Sequence, residues 1–191
     1  MKIFTRLDEN ITEKIRIYNV KSLYFRFAAF LSHTGDSWLW CGALFLIWIF
    51  SSGNLQRLTA FWGGSIAVTA AVIFLLKRVI HRRRPEGSWG ELYRKYDPHS
   101  FPSGHAVRAG LILALAFSTF SFPLTAIFLL WALAMIFSRV VTGVHYFFDI
   151  TAGFLLGILI GIGWIKLQPF LFDSFAFLFD RSQWLELIRN I

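Results

Sequence analysis

Four stretches of this 191-residue chain, 37–56, 58–76, 109–138 and 150–165, run for at least 16 residues without one charged side chain. A bilayer span needs about 20 mainly apolar residues, with a range of about 17–25. Each run reaches that length once its polar flanks are counted. Ser121-Phe122-Pro123 divides the longest run and reads as a turn between two helices. Five spans are therefore predicted, at 37–55, 58–80, 104–121, 123–141 and 146–166, with a sixth if 15–32 crosses at a tilt. The expected fold is all-α, an integral membrane helical bundle. Composition agrees: 56% of residues are hydrophobic and the mean hydropathy is +0.57, against roughly 45–50% apolar residues in soluble domains. A lipid-facing surface lets the surplus Phe and Leu point outward.

The remainder is short. Ile3, Leu7, Ile11, Ile15 and Tyr18 recur at helical spacing among charges, the pattern of an amphipathic helix in the membrane interface. The tail from Gln168 to Ile191 alternates Phe, Leu and Trp with Asp, Arg and Glu and reads as a second such helix. The organisation expected is an amphipathic segment 1–36, a transmembrane domain 37–166 and an amphipathic segment 167–191. Residues 1–21 lack the apolar core of a secretory signal peptide. The single cysteine, Cys41, lies in an apolar run and cannot form an intramolecular disulfide. Gly157, Gly161 and Gly163 suit close helix approach or an unremarkable lipid-facing surface equally well. Trp38, Trp40, Trp62, Trp89 and Trp164 suit an interfacial belt or interior packing.

Alternation of the spans brings three segments to one side of the membrane: the loop 81–103, the junction 139–146, and His33, Gly35 and Asp36 before the first span. Nearly all polar residues of chemical interest fall there. The net charge is +8, and between Lys77 and Arg108 eight Lys/Arg stand against three acids. Nucleic-acid binding is disfavoured, because this charge sits beside spans rather than on a soluble surface. A juxtamembrane basic patch and an anion site both remain open on charge alone.

Spacing favours the anion site. Pro102-Ser103-Gly104-His105 opens a helix, where free N–H groups and the positive dipole end attract anions. His105 adds a titratable proton. Further on come Ser138-Arg139, His145 and Asp149. His145 and Asp149 are four apart and share a helical face, so the carboxylate can hold one imidazole nitrogen and leave the other as a nucleophile. Arg139 ends an apolar span and needs a partner or a site. Arg78, Arg82, Arg83, Arg94 and Arg108 read as solvated loop charges in preference to substrate head-group or lipid contacts. His33, His81 and His99 have no assigned role.

Taken together, Lys77 with Arg84-Pro85 seven residues on, then Pro102-Ser103-Gly104-His105, then Ser138-Arg139, His145 and Asp149, resemble the type 2 phosphatidic acid phosphatase family. All three family motifs are present in order. The resemblance implies a membrane lipid phosphatase of a bacterial inner membrane. It implies His145 as the attacking nucleophile, Asp149 as its orienting partner and His105 as acid and base. Lys77, Arg84, Ser103, Gly104 and Arg139 would hold the phosphoryl oxygens. No cofactor and no metal are expected. Substrates implied are undecaprenyl diphosphate, phosphatidylglycerophosphate, phosphatidic acid or lipid A phosphate; protein partners are not readable. Two rival readings stand beside this one: a lipid phosphotransferase using the same phosphohistidine, and a non-catalytic protein that binds anionic lipid through its basic face. The resemblance places the site on the outer face, whereas the positive-inside rule taken literally places it in the cytoplasm. Cysteine labelling at Ser88 would separate the two.

Overall fold

The computed structural model of the chain describes residues 2–86, 89, 91–181 and 189. In chain order the helices are α1 (Lys2–Ile15), α2 (Leu23–His33), α3 (Ser37–Phe50), α4 (Gly53–Ile80), α5 (Glu91–Tyr96), α6 (Gly104–Thr119), α7 (Phe122–Val141), α8 (Phe147–Ser174) and α9 (Ala176–Phe179). Among the described residues the one β-type pairing is an isolated bridge between Arg83 and His99. The chain is an all-α membrane bundle. Ser88 and residues 182–188 and 190–191 of the tail lie outside the described residues.

Among the described residues three helices are long and apolar enough to cross a bilayer: α4, α7 and α8. Two expected spans are shorter than their runs suggested, α3 with 14 residues and α6 with 16. At about 1.5 Å per residue these reach roughly 21 and 24 Å, below a hydrocarbon core of about 30 Å. Local chemistry sets their ends. Ser51 closes α3 in extended backbone, and Gly53, with φ of +59°, turns the chain straight into α4. Phe120 is extended, and Pro123 then suits the first turn of α7. The last span errs the other way. α8 passes the expected end at 166 and runs through Pro169 to Ser174, so the first part of the tail continues the span. Residues 15–32 do not form one continuous helix: α1 ends at Ile15, and the 11 residues of α2 start afresh at an N-cap where Ser22 Oγ accepts from Phe25 N at 3.2 Å.

α6 forms the axis of the bundle. Every residue from Ala106 to Ala116 is buried, as befits a stretch that is apolar on all sides apart from Arg108. α8 lies closest against it through small residues. A Cβ on Gly157 would strike the Val107 carbonyl, and one on Gly161 would meet the Ala114 side chain at 2.6 Å. Gly110 and Gly153, not singled out in the sequence, pack as tightly, whereas Gly163 faces open space. This contact brings two helix starts together: Ser103 N donates to Asp149 O at 3.2 Å. Trp62 is buried, Trp40 lies against Trp131, and Trp164 Nε1 donates to Thr69 Oγ1, while Trp38 points outward.

α1 turns a polar face to the bundle. Asp8 and Thr12 are buried while Leu7 is exposed. Asp8 Oδ1 accepts the Phe148 N–H at 2.9 Å and Thr12 Oγ1 the Phe147 N–H at 3.1 Å. These are free donors of the first turn of α8. α1 is thus docked on the start of α8, and the interfacial helix expected there serves as an anchor for the polar end of the bundle.

Candidate active site

The polar ends of α4, α6, α7 and α8 meet the α2–α3 turn and the loop after α4 around a cavity of about 210 Å³. Lys77, Arg84, Gly104, His105, Arg139 and His145 all line it. Six of the eight residues singled out from sequence therefore converge. The other two stand behind the wall. Ser103 is fully buried as the N-cap of α6, its Oγ accepting from Ala106 N at 3.4 Å. Asp149 backs His145.

The cations are buried. Lys77, in the last turn of α4, is 4% exposed, Arg84 9% and Arg139 0%. Lys77 Nζ donates to Asp97 Oδ2 at 2.5 Å and Arg84 Nη2 to the same oxygen at 2.8 Å. Arg84 Nη1 donates to Val144 O at 2.8 Å and lies 3.0 Å from His145 Nε2. Arg139 Nη1 donates to Ser32 Oγ at 2.5 Å. Burial lowers the Arg84 guanidinium to about 10, with Asp97 opposing the fall, so it stays charged at neutral pH. Withdrawing charges from water is costly, and cations gathered around a small cavity make it a receptor for an anion.

His145 sits in the connection between α7 and α8, which turns at Gly143 with φ of +71°. It is 1% exposed. Its Nε2 faces Arg84 across the cavity wall. Its Nδ1 has no hydrogen-bond partner among the described residues and lies 3.7 Å from Asp149 Oδ2. The expected facing pair is present, but its separation exceeds a hydrogen bond. The reason is that Asp149 is otherwise engaged: Oδ2 accepts the Tyr146 N–H at 3.0 Å and Oδ1 an Arg82 N–H at 2.6 Å. Burial, and then the charges of Arg84, Arg139 and Lys77, hold the His145 imidazole well below the ordinary histidine range. It is neutral at pH 7, and its Nε2 lone pair is directed at the Arg84 guanidinium.

His105 opens α6 and puts Nε2 2.7 Å from Asp36 Oδ1. The other oxygen of Asp36 lies 3.0 Å from His33 Nδ1. Burial pushes the Asp36 carboxyl upward, but the hydrogen bonds from His105 and His33 outweigh it and hold the group below the ordinary carboxylate range. Two arginines read as solvated loop charges are held by the site instead, and one of them, Arg108, lines the cavity. Arg108 is 8% exposed and donates to Gly35 O and Ser37 Oγ. Arg82 bridges Asp149 and Asp8, each at 2.6 Å. Arg78 and Arg83 are exposed, as expected. Asp8, Asp36 and Asp97 went unassigned in the sequence. Only Asp36 carried a signal, as an N-cap residue ahead of an apolar run.

A family model described as the PAP2 superfamily matches residues 58–173. The chain is 31% identical over 159 residues to a protein of Rhizobium etli named Lipid A 1-phosphatase, an alignment covering 72% of this chain and 66% of that protein. The structure resembles that of LpxE from Aquifex aeolicus with a TM-score of 0.64 at 24% identity, covering 84% of this chain and 95% of the other. It also resembles a transmembrane PAP2-type phosphatidylglycerolphosphate phosphatase from Bacillus subtilis with a TM-score of 0.71 at 20% identity, covering 88% of both chains. These two likenesses establish the fold.

Proposed function

The chain belongs to the PAP2 superfamily, and from that premise we propose that it is a membrane lipid phosphatase working through a phosphohistidine at His145. The observation that carries this reading is the buried His145 at the wall of a cavity ringed by Lys77, Arg84 and Arg139, where burial and those charges favour the neutral imidazole. A phosphate monoester entering the cavity exchanges its water shell for fixed N–H donors and cations. Little covalent assistance is needed in phosphoryl transfer, where positioning and charge stabilisation dominate. His145 Nε2 attacks phosphorus and the bond to the lipid oxygen breaks. His105 gives that oxygen a proton. Water then attacks the phosphohistidine and passes a proton back to His105. The P–N bond breaks, releasing inorganic phosphate and restoring both histidines. Asp149 stabilises the charge that builds on His145, moving in from its 3.7 Å resting distance. Metal independence is part of the proposal, because the three cations occupy the role a metal ion would play against the equatorial oxygens.

The substrate class proposed is a lipid carrying a terminal phosphate. Likeness to the Rhizobium etli relative supports lipid A 1-phosphate as the candidate to test first, beside phosphatidylglycerophosphate, phosphatidic acid and undecaprenyl diphosphate. The site is assigned to the outer face of a bacterial inner membrane. An impermeant maleimide on Tyr96→Cys in a Cys41→Ser background tests that side, since Tyr96 is exposed in the same loop; protection in intact cells would reverse the assignment. The function itself is tested by phosphate release from purified protein in detergent with EDTA, across that lipid panel, beside His145→Ala. Release that survives EDTA and disappears in the variant supports the reading. Release that needs a metal, or that His145→Ala retains, overturns it.

A further inference from the structure

The turn between α2 and α3 is held against the cavity by the site's own cations. Arg139 donates to Ser32 Oγ, and Arg108 to Gly35 O and Ser37 Oγ. Gly35 is pressed so closely that a Cβ there would lie 2.8 Å from Met135 Sδ and 3.1 Å from His105 Cδ2. The turn therefore delivers Asp36, the N-cap residue of α3, to His105 at 2.7 Å. The Nε2–Cδ2 edge of the imidazole faces this turn, which leaves Nδ1 on the opposite edge. Asp36 lies outside the 58–173 region that the family model matches. Both side chains of the pair are 13% exposed, so water screens their interaction weakly.

We propose that Asp36 is the positioning residue of the general acid: it holds His105 Nε2–H, fixes the ring with Nδ1 toward the reacting phosphate, and stabilises the imidazolium that protonates the departing lipid oxygen. The site then contains two histidine–carboxylate pairs. His145 with Asp149 works on phosphorus. His105 with Asp36 works on the leaving group, and its carboxylate comes from an N-terminal turn remote from the motifs. The physical need is plain. Arg108 and Arg139 both lie near His105, and a cationic imidazole beside two guanidiniums is unfavourable without an adjacent anion. The protons balance: Nδ1–H passes to the leaving oxygen in the first half-reaction, and the attacking water returns one in the second, while Nε2–H stays on Asp36 throughout.

The inference rests on the phosphatase reading, and leaving-group dependence tests it separately. kcat/KM is measured for wild type and Asp36→Asn on two substrates: a lipid phosphate, whose alkoxide needs a proton to depart, and p-nitrophenyl phosphate, whose phenolate does not. General-acid assistance contributes about 10²–10⁴-fold, so Asp36→Asn should lose on the order of a hundredfold on the lipid and much less on the nitrophenyl ester. Because the ratio of the two rates comes from one preparation, a reduced folded fraction cancels. Asp36→Glu should recover part of the lipid rate. In a His105→Ala background Asp36→Asn should add little, since the two residues act as one unit. Equal fractional losses on both substrates, or additive losses in the double variant, would overturn the proposal. If instead His145→Ala keeps full activity on both substrates, it is the phosphohistidine reading that fails.

Discussion

Arg82 and Asp149 are joined at 2.6 Å, with the carboxylate completely buried and the guanidinium one-quarter exposed. The same guanidinium reaches Asp8 Oδ2 at 2.6 Å. One cation from the loop after α4 thus ties the N-terminal helix to the residue behind His145. Arg82 is not among the motif residues, yet it sets where the Asp149 carboxylate rests.

Arg82→Ala leaves two buried carboxylates facing each other without their shared cation. Removing one partner of a buried ion pair typically costs about 3–5 kcal/mol. A marked fall in the thermal unfolding midpoint in detergent is expected, together with loss of phosphatase activity. Arg82→Lys should recover little, because an ammonium lacks the two-pronged geometry that serves both acids. Adding Asp8→Asn to Arg82→Ala should restore part of the midpoint by removing one of the stranded charges. Strictly additive effects would mean that the bridge is not a unit.

Asp97 places one carboxylate oxygen on both Lys77 and Arg84, the two cations proposed to hold phosphoryl oxygens. On that proposal substrate competes with it. Asp97→Asn is expected to lower the inhibition constant for inorganic phosphate by about tenfold, the scale of one near-surface charge contact. Product-inhibition curves for the two proteins check this. An unchanged constant would show that Asp97 moves clear before the anion arrives.

The histidine and arginine motif residues were legible because their chemistry depends on local spacing: a helix start at 103–105, a span end at 139, and a four-residue step from His145 to Asp149. The carboxylates that complete the site were not. Asp8, Asp36 and Asp97 reach their partners across 74, 69 and 20 residues of chain, and no periodicity links positions so far apart. Arg82 and Arg108 were misread for the same reason, since a loop or helix arginine shows its burial only when the partner segment is in place. The lengths of the helices were subject to a different limit. Apolar runs set where helices can form, but Ser51, Gly53, Phe120 and Pro169 show that ends depend on local backbone choices that hydropathy does not record.

His145 has consequences for stability as well as for catalysis. Burial and the neighbouring cations hold its folded-state value well below the ordinary value of roughly 6.5. Below that pH the unfolded chain binds a proton that the folded chain refuses. Stability from this group is therefore fully present above about pH 6.5 and is lost as pH falls through it. The unfolding midpoint of wild type should drop between about pH 7.5 and 5, and the drop should be shallower in His145→Gln. Equal slopes in the two proteins would place the acid sensitivity elsewhere.

The seam between α6 and α8 joins packing to chemistry, because it sets the distance between the helix start carrying His105 and the one carrying Asp149. Gly157 and Gly163 sit on the same helix and differ in what they face, the Val107 backbone in one case and open space in the other. Changing either to alanine gains helix propensity of up to about 1 kcal/mol, so the pair isolates the steric term. Gly163→Ala should leave activity unchanged and raise the unfolding midpoint slightly. Gly157→Ala should lower the midpoint, with overpacking costing about 1–3 kcal/mol. It should also reduce phosphatase activity, because wedging the helices apart strains the 3.2 Å contact from Ser103 N to Asp149 O. Matching behaviour of the two variants would mean that the close approach at Gly157 does not hold the site together.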